Sequence, residues 1–173
     1  TDTSARNRAA ALGTRNETAL WTRDGAHIQV LFQREVGTDG DDFAGIETTG
    51  DGEVVELTRA AVIRLRTEVS LRFGETLVPT GNLAPDFPGA YALWLKKTGT
   101  EWQLVFNNEP DSWGSQYDPA FDAAEIDLLH TLVDFPNPDR PLAVYLAPLG
   151  VDQNRLIIHW GMHVWSADFS VAR

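Results

Sequence analysis

Ile63-Arg64-Leu65-Arg66-Thr67-Glu68-Val69-Ser70-Leu71-Arg72-Phe73 is the stretch that decides the fold. Ile63, Leu65, Thr67, Val69, Leu71 and Phe73 alternate with Arg64, Arg66, Glu68, Ser70 and Arg72. Successive side chains of a strand point to opposite faces, so a period of two puts the apolar set on one side and the charged set on the other. One face packs on a core and the other meets water, as in antiparallel sheets. Gly74-Glu75 then turns the chain.

The same period recurs on both sides of this stretch. Upstream, Ile28, Val30 and Phe32 alternate with His27, Gln29 and Gln33. Downstream, Tyr91-Leu93-Leu95 and Trp102-Leu104-Phe106 flank Lys97-Thr98-Gly99-Thr100, which reads as a hairpin with a four-residue loop. Ile126-Leu128-His130-Leu132, Leu142-Val144-Leu146, Leu156-Ile158-Trp160 with Val164, and Phe169-Val171 continue the pattern. Turn-rich clusters at 37–42, 48–52, 79–88, 108–113 and 135–141 separate the runs. About eight to ten short strands so spaced predict an all-β antiparallel sandwich, with a β-barrel as the second arrangement. No long helical pattern alternates with the strands, so a parallel sheet is excluded. Residues 1–20 read as an N-terminal arm with at most a turn or two of helix, and 21–173 as one domain. Thr1–Asn16 lacks both an initiator Met and the apolar core of a signal peptide, which fits a trimmed product.

Composition narrows the function classes. The chain has 173 residues and no cysteine, which excludes disulfides, Cys-ligated metals and a cysteine nucleophile. Fourteen basic against 25 acidic residues give a net charge of −11, which opposes binding to nucleic acid. No apolar run approaches the roughly 18 residues of a membrane span. Nucleophile elbow, phosphate loop and dinucleotide fingerprint are all missing, and no cofactor is predicted.

His159-Trp160-Gly161-Met162-His163 would pinch a metal on a helix, but its flanks are strand-like. Four residues along a strand span roughly 13 Å, too far to share an ion unless Gly161 bulges. No metal site is therefore expected, and His27 and His130 have no partner in the sequence. Thr38-Asp39-Gly40-Asp41-Asp42 resembles half a calcium loop but reads better as a solvated acidic turn. Asp118, Asp122, Glu125 and Asp127 bracket the start of one strand, and paired carboxylates can cleave glycosides. Trp102 and Trp160 share the core parity. Trp94 and Trp165 fall on the other, where an aromatic either stacks on a ligand or lies under other chain.

Pro88-Gly89-Ala90-Tyr91-Ala92-Leu93-Trp94, Glu101-Trp102-Gln103-Leu104-Val105-Phe106-Asn107-Asn108, Trp113-Gly114 and Tyr117-Asp118 occur in that order. This block resembles the bacterial domain-of-unknown-function family 2911, with a weaker likeness over about residues 26–172. The resemblance implies a β-sandwich exported from the cytoplasm, periplasmic or secreted, with no established activity. Thr58-Arg59-Ala60-Ala61-Val62 departs from the family's Gly- and Asn-bearing segment, and Thr80–Phe87 reads as an insertion.

Together these features predict a non-catalytic module that binds a small molecule or a protein partner. The alternative is an enzyme acting on carbohydrate or another small molecule through carboxylates and a His. The expected ligand site gathers Trp113, Tyr117 and Asp118 on one turn, with His163 beside them. An aromatic, a phenol and a carboxylate so close can stack on a ring and fix its hydroxyls. Oligomeric state is not legible in the sequence.

Overall fold

The computed structural model describes residues 15–33, 35–58, 60–80, 90–108, 116–134 and 138–172. Its strands are β1 (Arg15–Trp21), β2 (His27–Gln33), β3 (Ile63–Thr67), β4 (Leu71–Phe73), β5 (Thr76–Val78), β6 (Ala90–Thr98), β7 (Glu101–Asn107), β8 (Asp122–Leu132), β9 (Ala143–Pro148), β10 (Asn154–Trp160) and β11 (His163–Val171). One helix, α1 (Asp41–Thr48), and a 3-10 turn at Pro119–Phe121 complete the described elements. All pairings are antiparallel, in the order β1-β2-β3-β6-β7-β8-β11-β10-β9.

The all-β reading holds, and the single sheet curls until its ends nearly meet, as in a barrel. Across that seam the Leu146 amide donates to the Thr18 hydroxyl at 3.0 Å and the Leu142 amide to the Val36 carbonyl at 2.9 Å. The predicted arm is shorter than expected, because residues 15–20 already pair with β2; residues 1–14 lie outside the described part. The hairpin at 97–100 is tighter than expected. Thr98 pairs with Glu101, leaving Gly99-Thr100 as a two-residue turn, with Gly99 at φ +63.

The 63–73 stretch is two strands rather than one. β3 pairs with β2 and β6, while β4 pairs with β11 and β5. The break lies at Glu68–Ser70. There the Thr67 hydroxyl donates to the Val69 carbonyl, and the Glu68 carboxylate accepts the His27 amide at 2.7 Å. β8 and β11 pair only from His163 to Ser166 and then separate. The β4–β5 hairpin fills this opening. Phe73 reaches inward to Phe106 at 5.4 Å and Phe169 at 5.2 Å, ring centre to ring centre.

A second difference is α1, which occupies the stretch between the turn clusters read at 37–42 and 48–52. It begins with Asp41 and Asp42, favourable at the positive end of the helix dipole. Asp42 also accepts the Thr58 amide and hydroxyl, tying the helix start to the 50–58 segment. Phe43 and Ile46 face the barrel. Among the described residues, no helix is long and apolar enough to cross a membrane.

The core runs unbroken through the barrel, from Ile28, Val30 and Leu65 to Leu104, Phe106 and Ile158. Trp102 is 4% exposed and meets Trp165 edge to face at 5.5 Å. Removing such a side chain loses its burial and leaves a cavity. Trp102→Ala should therefore lower the denaturant-derived stability by about 3–5 kcal/mol, and a loss below about 1 kcal/mol would contradict this packing.

Candidate functional site

Of the four residues expected to form the ligand site, Trp113 lies outside the described residues, as do Pro88-Gly89 and most of the insertion. Tyr117 and Asp118 stand together at the start of β8. The Tyr117 hydroxyl donates to Asp122 at 2.6 Å. The other oxygen of that carboxylate accepts the Asn107 side-chain amide at 2.7 Å. Asp118 accepts the Ala120 amide at 2.9 Å, capping the 3-10 turn, and its carbonyl accepts from Asn107. Burial first, then the bond to Asp122, holds the Tyr117 phenol well above its ordinary pKa. These groups fasten the turn to β7, so much of the Tyr117-Asp118 pattern is structural.

His163 is not beside this turn, which corrects the sequence expectation. It pairs with Leu132 at the far end of β8, whereas Tyr117 is bonded to Asp122 at its start. Asp122 and Leu132 are the two ends of this eleven-residue strand, about 33 Å of chain apart at about 3.3 Å per residue. The expected constellation therefore divides into two places.

The first is a cleft of about 1180 Å³ beside Tyr117. α1 supplies Asp41, Gly45 and Thr48, the following segment supplies Glu53 and Glu56, and Trp94 with Tyr117 forms the inner wall. Val55 pairs with Leu95 through a 2.8 Å amide bond, and that segment walls the cleft opposite the helix. Trp94 and Tyr117 rings stand 5.5 Å apart. Trp94 is on the outer face as its parity predicts, but it is covered, at 2% exposed. Its indole nitrogen has no hydrogen-bond acceptor among the described residues.

The second place is the barrel end around His163. Gly161-Met162 forms the β10–β11 turn, with Gly161 at φ +58, a conformation that suits glycine. A methyl group at Gly161 would come within 2.6 Å of the Phe43 ring. Because Trp160 pairs with His163 across this turn, inward positions are even-numbered on β10 and odd-numbered on β11. His163 and Trp165 therefore point inward, and Trp165 is a core residue at 0% exposed, not the outer-face residue expected. His159 points to the opposite face, where its Nε2 lies 3.1 Å from the Gly161 carbonyl. The two histidines of the H-W-G-M-H stretch are thus on different faces.

The partner of His163 is His130, for which the sequence offered none. His130 Nε2 and His163 Nδ1 are 2.9 Å apart. Ring planes differ by 17° and centroids by 5.2 Å, which places both nitrogens on the line joining the ring centres. Trp102 and Trp165 flank His130, and Phe43 closes over His163 at 5.9 Å. Burial is the main force lowering both pKa values. His163 adds to the lowering at His130, while Glu101 opposes it there and Glu47 opposes it at His163. His159 is lowered too, by burial and then by Arg140. Shared parity with Ile126 and Leu128 marks His130 as inward-facing in the sequence, but it does not name the partner.

The chain matches no family model, no curated protein and no solved structure.

The lowered histidines set a pH dependence. Between their folded values and the ordinary 6.5, the unfolded chain binds more protons than the folded one. Their stabilisation is complete above about pH 6.5 and is lost as the pH falls through the folded values. Melting temperature should drop on acidification from pH 7.5 to 5, before the carboxylates titrate, and His163→Gln should flatten that slope. An unchanged slope in the variant would remove the pair as its source.

Proposed function

We propose that the chain is a non-catalytic binding module whose ligand is a small organic cation carrying a hydrogen-bond acceptor, held in the cleft beside Tyr117. The observation that carries this reading is the Trp94 indole N–H. It is buried, it belongs to a residue that lines the cleft, and it lacks an acceptor among the described residues. A buried donor left unpaired costs about 1–3 kcal/mol, which a ligand oxygen would recover. Asp41, Glu53 and Glu56 on the rim supply negative charge, and their sign suits a cation. The half-buried Tyr117 ring offers a face to it.

Binding is favoured over the carboxylate-and-histidine enzyme by the way these groups are engaged. Asp118 and Asp122 serve as acceptors that hold the 117–122 turn, and both stand a strand length from His163. The extracytoplasmic setting, periplasmic or secreted, rests on the resemblance to family 2911 carried by residues 88–118. The occupant is a free small molecule in this reading; a protein presenting a cationic side chain would use the same chemistry.

Choline, arginine and glucosamine, with glucose as the neutral control, test the proposal through tryptophan fluorescence. Cationic probes should perturb the emission saturably and lose affinity in Glu56→Gln, in Tyr117→Ala and at raised salt. Binding of glucose alone, indifferent to salt and to Glu56→Gln, would overturn it.

A further inference from the structure

We infer that His130 and His163 form a two-coordinate site for a monovalent metal ion of linear preference, the class of Cu(I) and Ag(I). This does not rest on the cleft reading, since the pair lies at the other end of β8.

The argument begins with the direction of the nitrogens. Facing imidazole nitrogens lie in line, each aimed at the other. An N–H between them fills that line as a hydrogen bond. A metal ion that takes two ligands at opposite poles needs the same line. Divalent zinc wants four ligands and calcium six to eight. Among the described residues, no group of three or more His, Asp or Glu is placed to hold such an ion. Two in-line donors with no third suit an ion satisfied by two, and imidazole is an accepted ligand for copper.

The surroundings agree with a single positive charge. Both rings stand in an aromatic enclosure of Trp102, Trp165 and Phe43, where a divalent ion would be costly to desolvate. Glu101 and Glu47 lie close enough to act on the two imidazoles electrostatically. Proton bookkeeping is neutral. Each uncharged imidazole keeps one N–H. On binding, the inner nitrogens are both bare, and the protons sit on His130 Nδ1 and His163 Nε2. One tautomer shifts and no net proton is released. With metal–nitrogen bonds of about 2 Å, the rings must part by roughly 1 Å. That adjustment falls at strand ends, since Leu132 closes β8 and His163 opens β11.

Silver nitrate in chloride-free buffer is the probe. Wild type should bind one ion, read by quenching of tryptophan emission, with no comparable response to zinc. His130→Gln and His163→Gln should each weaken binding by about tenfold or more. His27→Gln should not. Met162 is exposed beside His163, and its thioether is itself a soft ligand. Met162→Leu therefore separates a surface ion from a bridging one and should leave binding intact. If a histidine variant fails to fold, nitrogen-15 spectra of wild type decide the matter. Silver should move His130 Nε2 and His163 Nδ1 and leave the nitrogens of His27 and His159 in place. Binding abolished by Met162→Leu, or zinc binding as tight as silver, or shifts at other histidines, would overturn the proposal.

Discussion

Between Thr67 and Ser70 the chain has to leave one ladder and join another without losing the inward direction of its side chains. The buried Thr67 hydroxyl makes this possible by bonding the Val69 backbone, and Glu68 holds the start of β2 through exchanged bonds with His27. Residues on the odd parity stay inward on both sides of the break, with Ile63 and Leu65 before it and Leu71 and Phe73 after it. The rest of the barrel depends on that transfer. β8 and β11 part beyond Ser166, and an open wedge there would expose Phe106 and Phe169. Phe73 closes it from β4. A sheet this strongly coiled therefore does not close by strand pairing alone; a short hairpin is set into it.

Helix α1 plays the matching part at the other end. Its Phe43 packs on Trp160 and His163, and the Trp160 indole donates to the Gly37 carbonyl just before the helix. The opposite side of the same helix forms one wall of the Tyr117 cleft. Gly45 packs against Val55 with only ordinary van der Waals room for a methyl group. One short helix thus packs on His163 and shapes the cleft.

Strand positions were legible because a half-buried strand writes its period into the sequence. Their breaks were not. The kink after Thr67 preserves parity, so alternation runs through it unmarked. Trp165 was misplaced for a related reason: a two-residue turn shifts the inward parity between its strands, and counting on from Trp160 gives the wrong face. α1 was missed because Asp41–Thr48 is short, carries Gly45, and buries only Ile46 fully. Tyr117 and Asp118 were visible as a pair, but their engagement with Asp122 and Asn107 depends on the β7–β8 register, and the meeting of His130 with His163 depends on the β8–β11 register. Periodicity carries no information on register between strands far apart in the chain.

The half-buried imidazole pair is also a costly feature at the edge of the core. Leu128 and Ile126 precede His130 on the same face, and apolar residues at 130 and 163 would bury equally well without desolvating four ring nitrogens. Facing nitrogens satisfy one another, which removes the penalty at two of those atoms and leaves two outward. Low polarity then keeps both rings uncharged at neutral pH. An uncharged, in-line pair walled by Trp102, Trp165 and Phe43 is a poor base at its inner edge and a good donor set for anything that can replace one proton on that line. A fold selected for stability alone would place hydrocarbon there, and the presence of two histidines at the one barrel end that α1 covers is where packing and chemistry part company.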